Sequence, residues 1–106
     1  ANNPYMVPLT KIKLSKPGPD VNNAVQYTAI IDTGSYFNIL GPSAASQLSL
    51  DIILTAITPY SYNGTAIELA GETSCVVQLL GKTFTLRFLI AKEATVREVL
   101  VGFRYF

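Results

Sequence analysis

Polar and apolar positions alternate along much of the chain. Lys11-Ile12-Lys13-Leu14 and Thr83-Phe84-Thr85-Leu86-Arg87-Phe88 carry an apolar residue at every second place, the period of a strand with one buried face. A strand is expected over 25–31. Its end, Thr28-Ala29-Ile30-Ile31, is apolar or small throughout and reads as buried on both faces. Further strands are expected over 36–40, 52–57, 73–80, 83–90 and 99–101. Pro17-Gly18-Pro19 marks an exposed turn. Pro42, suited to a first helical position, introduces the single expected helical turn, over 43–48. Asn63-Gly64 lies at the centre of 59–69 and predicts a tight hairpin, because both residues tolerate positive φ. Leu80-Gly81-Lys82-Thr83 predicts a second, and 91–98 is charged with no clear period. The expected fold is all-β with at most one short helix.

Composition sets the scale. With 106 residues, of which 49% are hydrophobic and 14% charged, the chain has material for one packed domain, 1–106, and not for two. Eight basic and seven acidic residues leave a net charge of +1, so no long-range field draws in nucleic acid or an anionic membrane, and neither is an expected partner. No apolar run reaches the length of a membrane span, and Ala1-Asn2-Asn3-Pro4 carries no secretion signal.

Two absences narrow the chemistry. Histidine is missing, which excludes Ser-His-Asp and Cys-His nucleophile systems and His-ligated zinc. A lone Cys75 closes no intrachain disulfide and ligates no cluster; in its apolar strand it reads as an inert core thiol. No metal or cofactor is expected. Hydrolysis would therefore rest on carboxylates, since Ser15-Lys16 beside a proline turn is a poor place for a desolvated lysine. Lys11, Lys13 and Lys16 read as the solvated side of the first strand.

Ala29-Ile30-Ile31-Asp32-Thr33-Gly34-Ser35 is the segment able to carry chemistry. It sets a carboxylate at the end of a strand, followed by a hydroxyl and a glycine that lets the chain turn back. Burial raises a carboxyl pKa and a second carboxylate raises one of a pair further, so two such groups share a proton. One then takes a proton from water while the other donates to the scissile carbonyl oxygen. Such a pair predicts a bell-shaped pH dependence with an acidic to mildly acidic optimum. Asp-(Ser/Thr)-Gly alone arises by chance in about one chain in twenty of this size; the apolar strand before it and Phe37, Ile39 and Leu40 after it make coincidence rarer. The motif occurs once, so a pair of carboxylates requires two chains in an isologous contact.

Asp32-Thr33-Gly34-Ser35 after an apolar strand, the Asn63-Gly64 hairpin and Val99-Leu100-Val101-Gly102 near the end resemble the retropepsin-type aspartic proteases of reverse-transcribing viruses and LTR elements, in order and spacing over nearly the whole chain. Within that group the 52–57 strand, the hairpin after it and the following two-hairpin tract look most like the protease of plant pararetrovirus polyproteins, of badnavirus or tungrovirus type. The resemblance implies an all-β closed barrel with a hairpin flap, acting as a homodimeric aspartic endopeptidase that processes its own polyprotein, in virion and host cytoplasm. Asp32, Thr33 and Gly34 would be catalytic, with the Thr33 hydroxyls bracing the two loops across the two-fold axis. The expected substrate-binding set is Ser35, Tyr60, Tyr62, Asn63, Gly64, Val101 and Gly102, with 60–67 forming a flap over bound peptide.

Two features depart from the family pattern. Phe103 follows Gly102 where relatives carry a polar residue, and Arg104 comes one place late. Relatives also continue past this point with a helix and a terminal strand, so either the dimer is assembled differently, through 5–9, or the chain is cut short at its C-terminus, and the 106-residue form is expected to dimerise weakly. The contrasting reading is a non-catalytic β-barrel binding or scaffold module, which would be expected to lose Asp32 or Gly34. Asn63-Gly64-Thr65 is also a glycosylation sequon; without a secretion signal it reads as the hairpin turn.

Overall fold

Among the described residues, six strands close into a barrel in the order β1-β2-β6-β3-β5-β4. They are β1 (Leu9–Ser15), β2 (Val25–Asp32), β3 (Ile39–Leu40), β4 (Leu69–Leu79), β5 (Lys82–Ala91) and β6 (Val99–Gly102), with one helix, α1 (Pro42–Gln47), after β3. The structure is a computed structural model and describes residues 9–19, 23–32, 35–60, 63–93 and 98–102.

The period-two pattern works as expected in β1. Ile12 and Leu14 are buried while Lys11 and Lys13 face solvent, and the strand pairs antiparallel with both β2 and β4. The β4–β5 hairpin closes through Leu80-Gly81, both at positive φ (53° and 75°) as a two-residue primed turn demands. β4 starts four residues ahead of the expected 73–80 and ends one short of it, and β5 runs one residue past each end of 83–90. Inward-facing Ile12, Leu14, Val77, Phe88, Val99 and Val101 form the core with the apolar side of α1. Cys75 sits there too, fully buried, its S–H donating to the Ser15 carbonyl at 3.3 Å. Burial pushes the thiol pKa up to about 11.

Two connections are parallel and bring distant segments side by side. β2 pairs with β6, aligning Ile30, Ile31 and Asp32 with Leu100, Val101 and Gly102. β3 pairs in parallel with β5 and antiparallel with β6. The last described strand therefore lies between the second and third. α1 is held at its start by Glu98, just ahead of β6: Gly41 N–H donates to the Glu98 carbonyl at 2.7 Å and Ala44 N–H to its carboxylate at 3.1 Å. The carboxylate satisfies one of the helix's unpaired amides.

Three expectations are corrected. The strand over 36–40 is reduced to Ile39–Leu40, because the Ser35 hydroxyl occupies both the N–H and the carbonyl of Phe37 ahead of it. No strand forms over 52–57. Ile53 makes an isolated bridge to Glu72, and Ile52, Ile53 and Leu54 stay exposed, the last at 93%, so their apolar character is not spent on the core. The end of β2 is also not buried on both faces: Thr28 is exposed, Ala29 buried, and Ile30 to Asp32 half-buried.

Candidate active site

Alternation along β2 decides what Asp32 faces. Ala29 and Ile31 point to the core, so Ile30 and Asp32 share the opposite side of the strand. Register extends that side across the sheet: Ile30 lies beside Leu100, and Leu100 beside Ile39. All three aliphatic residues are half-buried. The Asp32 carboxylate thus stands at the end of a partly open apolar strip, opposite in sense to the core.

The loop after Asp32 is shaped by its neighbours. Ser35 N–H donates to the Asp32 carbonyl at 3.2 Å. The Ser35 hydroxyl donates to the Phe37 carbonyl at 2.7 Å and accepts from Phe37 N–H at 3.1 Å, so this side chain is spent on the turn. Beneath lies Gly102, where a Cβ would fall 2.7 Å from the Ser35 carbonyl oxygen and 3.0 Å from that of Phe37. Only a residue without a side chain lets the two segments approach so closely.

Asn38, which the sequence did not flag, ties this assembly together. It is buried, accepts from Gly102 N–H at 2.8 Å through Oδ1, and donates through Nδ2 to the Arg87 carbonyl at 2.9 Å. Its own carbonyl accepts from Leu89 N–H at 2.8 Å. One side chain thereby fixes β6 and β5 against the Asp32 loop. The signal was a polar residue between apolar Phe37 and Ile39, which local periodicity alone cannot distinguish from a solvent-facing position.

The hairpin expected at Asn63-Gly64 is present. Tyr60 and Ala66 form an antiparallel bridge, Ile67 N–H donates to the Pro59 carbonyl at 2.9 Å, and at the tip Thr65 N–H donates to Asn63 Oδ1 at 3.1 Å with Gly64 at φ +82°. Tyr60 is 67% exposed, so it is not spent on packing. The hairpin's root is pinned: Ile53 and Glu72 exchange both backbone hydrogen bonds (2.9 and 2.8 Å), and the Thr55 hydroxyl donates to the Glu72 carboxylate at 2.8 Å. Below the root a recess of about 240 Å³ is lined by Phe37, Asn38, Ile57, Arg87 and Leu89, joining the pre-hairpin segment to the loop after Asp32.

The structure thus gathers Asp32, Ser35 and Gly102 at one point and sets Tyr60, Asn63 and Gly64 on a separate projecting hairpin. Val101 is corrected: its side chain is 0% exposed in the core, so it supports β6 from within, and Leu100 is the β6 residue that faces the strip. Thr33, Gly34, Tyr62, Phe103, Arg104 and residues 5–8 lie outside the described residues.

No protein-family model and no curated protein matches the sequence. Solved structures do match. EIAV protease complexed with the inhibitor HBY-793 superposes with a TM-score of 0.70 at 16% identity, covering 99% of this chain and 89% of that one. The retroviral protease-like domain of Ddi1 from Leishmania major gives 0.58 at 17% identity, over 92% and 72%. The closed barrel with its hairpin and one short helix is the retroviral protease fold.

Proposed function

We propose that the chain is one half of an aspartic endopeptidase, with Asp32 as its catalytic carboxylate. The observation that carries the reading is the placement of Asp32 at the open end of β2, level with Gly102 of β6, on the side of the sheet that bears the half-buried apolar strip. An extended peptide lying on that strip brings a backbone carbonyl to the carboxylate, and the 59–67 hairpin covers it.

One Asp-Thr-Gly per chain makes the active unit a homodimer, in which two Asp32 carboxylates share a proton across a two-fold axis. One accepts a proton from water, the water oxygen attacks the scissile carbonyl, and the partner's shared proton goes to the carbonyl oxygen. Proton return to the amide nitrogen then expels the amine. The chain supplies positioning and proton traffic, and no nucleophile of its own becomes acylated.

The proposed substrate is the polyprotein of a reverse-transcribing element, of plant pararetrovirus type, with action in virion and host cytoplasm. The sequence order of Asp32-Thr33-Gly34, Asn63-Gly64 and Val99 to Gly102, and the likeness of the fold to EIAV protease, support it. The test is hydrolysis of a peptide panel by wild type, Asp32→Asn and Asp32→Ala. Loss of turnover in both variants, with unchanged circular dichroism, is expected. Turnover surviving in either removes Asp32 from the chemistry and favours the scaffold reading.

A further inference from the structure

The flap tip contains a second piece of chemistry, independent of Asp32. We propose that Asn63-Gly64 is a site of spontaneous deamidation that ages the enzyme by placing a carboxylate at the flap tip. Asn63 is the one asparagine of the sequence followed by glycine. The reaction is an attack by the backbone nitrogen of the next residue on the asparagine side chain, and a following side chain hinders that approach.

The geometry favours it here. A Cβ placed on Gly64 would meet nothing within 4 Å, so no neighbouring segment crowds the turn on that side. Asn63 is exposed and lies beyond the Tyr60–Ala66 bridge, the last cross-strand pair among the described residues. Thr65 N–H donates to Asn63 Oδ1, which folds the amide back over its own backbone and draws electron density from Cγ, the atom under attack. Asn38 provides the contrast within the same fold. It is buried, both ends of its amide are engaged, and Ile39 follows it.

The steps balance without an outside oxidant or reductant. The Gly64 nitrogen loses its proton and bonds to Asn63 Cγ, the Cγ–Nδ2 bond breaks, and the departing nitrogen takes up a proton and leaves as ammonia. Water then adds to one or other carbonyl of the five-membered succinimide. Opening on one side gives aspartate, and on the other isoaspartate, which carries an extra backbone carbon. Either product adds a negative charge, and isoaspartate also alters the turn that Gly64 completes at positive φ. In a two-fold dimer the change occurs on both flaps, so like charges face each other over the peptide. This consequence rests on the flap reading above; the chemical event rests on the turn alone.

The test incubates the full chain at mildly alkaline pH and body temperature beside a synthetic peptide of residues 60–66. Conversion is followed by peptide mapping and isoaspartyl methyltransferase labelling, and kcat/KM is measured on the same samples. The expected result is conversion at Asn63 within an order of magnitude of the peptide's rate, with kcat/KM falling in step with the converted fraction while circular dichroism holds. Asn63→Gln and Gly64→Ala, whatever their starting activities, should keep them throughout. An intact Asn63 when the peptide has been consumed overturns the site, and full conversion with unchanged kcat/KM, or equal loss in Asn63→Gln, overturns the ageing. Fresh protein without Asp32-dependent hydrolysis would instead remove the protease reading, leaving the mapping arm to decide on the modification.

Discussion

Gly102 donates its backbone N–H to the side-chain oxygen of Asn38 at 2.8 Å, and through that bond the last described strand is fastened to the loop that follows Asp32. The bond explains why a buried asparagine is retained beneath the site. Without it, a buried N–H would lose its partner at the point where three strands meet.

Asn38→Leu removes both side-chain hydrogen bonds while keeping the branch at Cγ. It is expected to cost about 1–3 kcal/mol of stability for the orphaned Gly102 N–H, and to lower kcat more than it raises KM, because the Asp32 loop loses its anchor. Urea unfolding and steady-state kinetics on the same preparation check both halves.

Gly102→Ala attacks the same contact from the other side. Its methyl would fall 2.7 Å from the Ser35 carbonyl oxygen, too close for any Cβ, so the loop carrying Asp32 must shift. The expected phenotype is a folded protein with activity reduced by at least an order of magnitude, since small misplacements of reacting groups cost on the order of 100-fold. Unaltered turnover would show that the loop tolerates the displacement.

At Gly64, φ is +82°, a conformation that a β-branched residue resists. Gly64→Val should strain the tip and slow substrate entry while leaving the global unfolding midpoint little changed. Stopped-flow binding of a fluorescent peptidomimetic inhibitor reads the entry step directly. A large fall in midpoint with normal entry would mark an ordinary structural turn.

Alkaline pH should weaken the fold through Cys75. Its thiol pKa is raised to about 11 by burial, against roughly 8.5 for an unfolded cysteine. The folded chain holds this proton more tightly, so stability is fully present below the unfolded value and is lost as pH rises toward 11, by about 3 kcal/mol. Tyr27, raised chiefly by burial and further by the charges of Cys75 and Glu98, shifts stability in the same direction. Comparing urea midpoints of wild type and Cys75→Val from neutral to strongly alkaline pH isolates the cysteine contribution as a difference in slope.

If the proposed homodimer is the active unit, activity depends on concentration. Specific activity should fall on dilution below the dimer dissociation constant, and an inhibitor bound beneath both flaps should shift that fall to lower concentration, because it binds only the assembled pair. Sedimentation across a dilution series, with and without inhibitor, measures it. Full specific activity in a demonstrated monomer would defeat the half-site argument.

Strands β1, β2, β4, β5 and β6 were legible because each pairs its pattern with a hairpin or a buried face, as Ile12 and Leu14 do against Lys11 and Lys13. The segment 52–57 misled because its run of aliphatic residues looks the same whether it fills a core or lines the outer root of a flap. Asp32 was legible as a motif and Asn38 was not. A carboxylate before Thr-Gly has a local signature, whereas Asn38 is defined by partners on β5 and β6 that only the closed barrel brings to it. The burial error at the end of β2 has the same origin: Ile30 reads as core by composition, and its register beside Leu100 places it on the open side.

The position of β6 between β2 and β3 also has a consequence in time. During synthesis the aspartate emerges early, but the strand that frames it leaves the ribosome last among the described ones, and a barrel dominated by such distant pairings closes slowly. Until β6 is threaded between its neighbours, the Asp32 loop lacks both Gly102 beneath it and the bond from Gly102 to Asn38. The frame around Asp32 is therefore completed late, by the order in which the strands of the chain arrive.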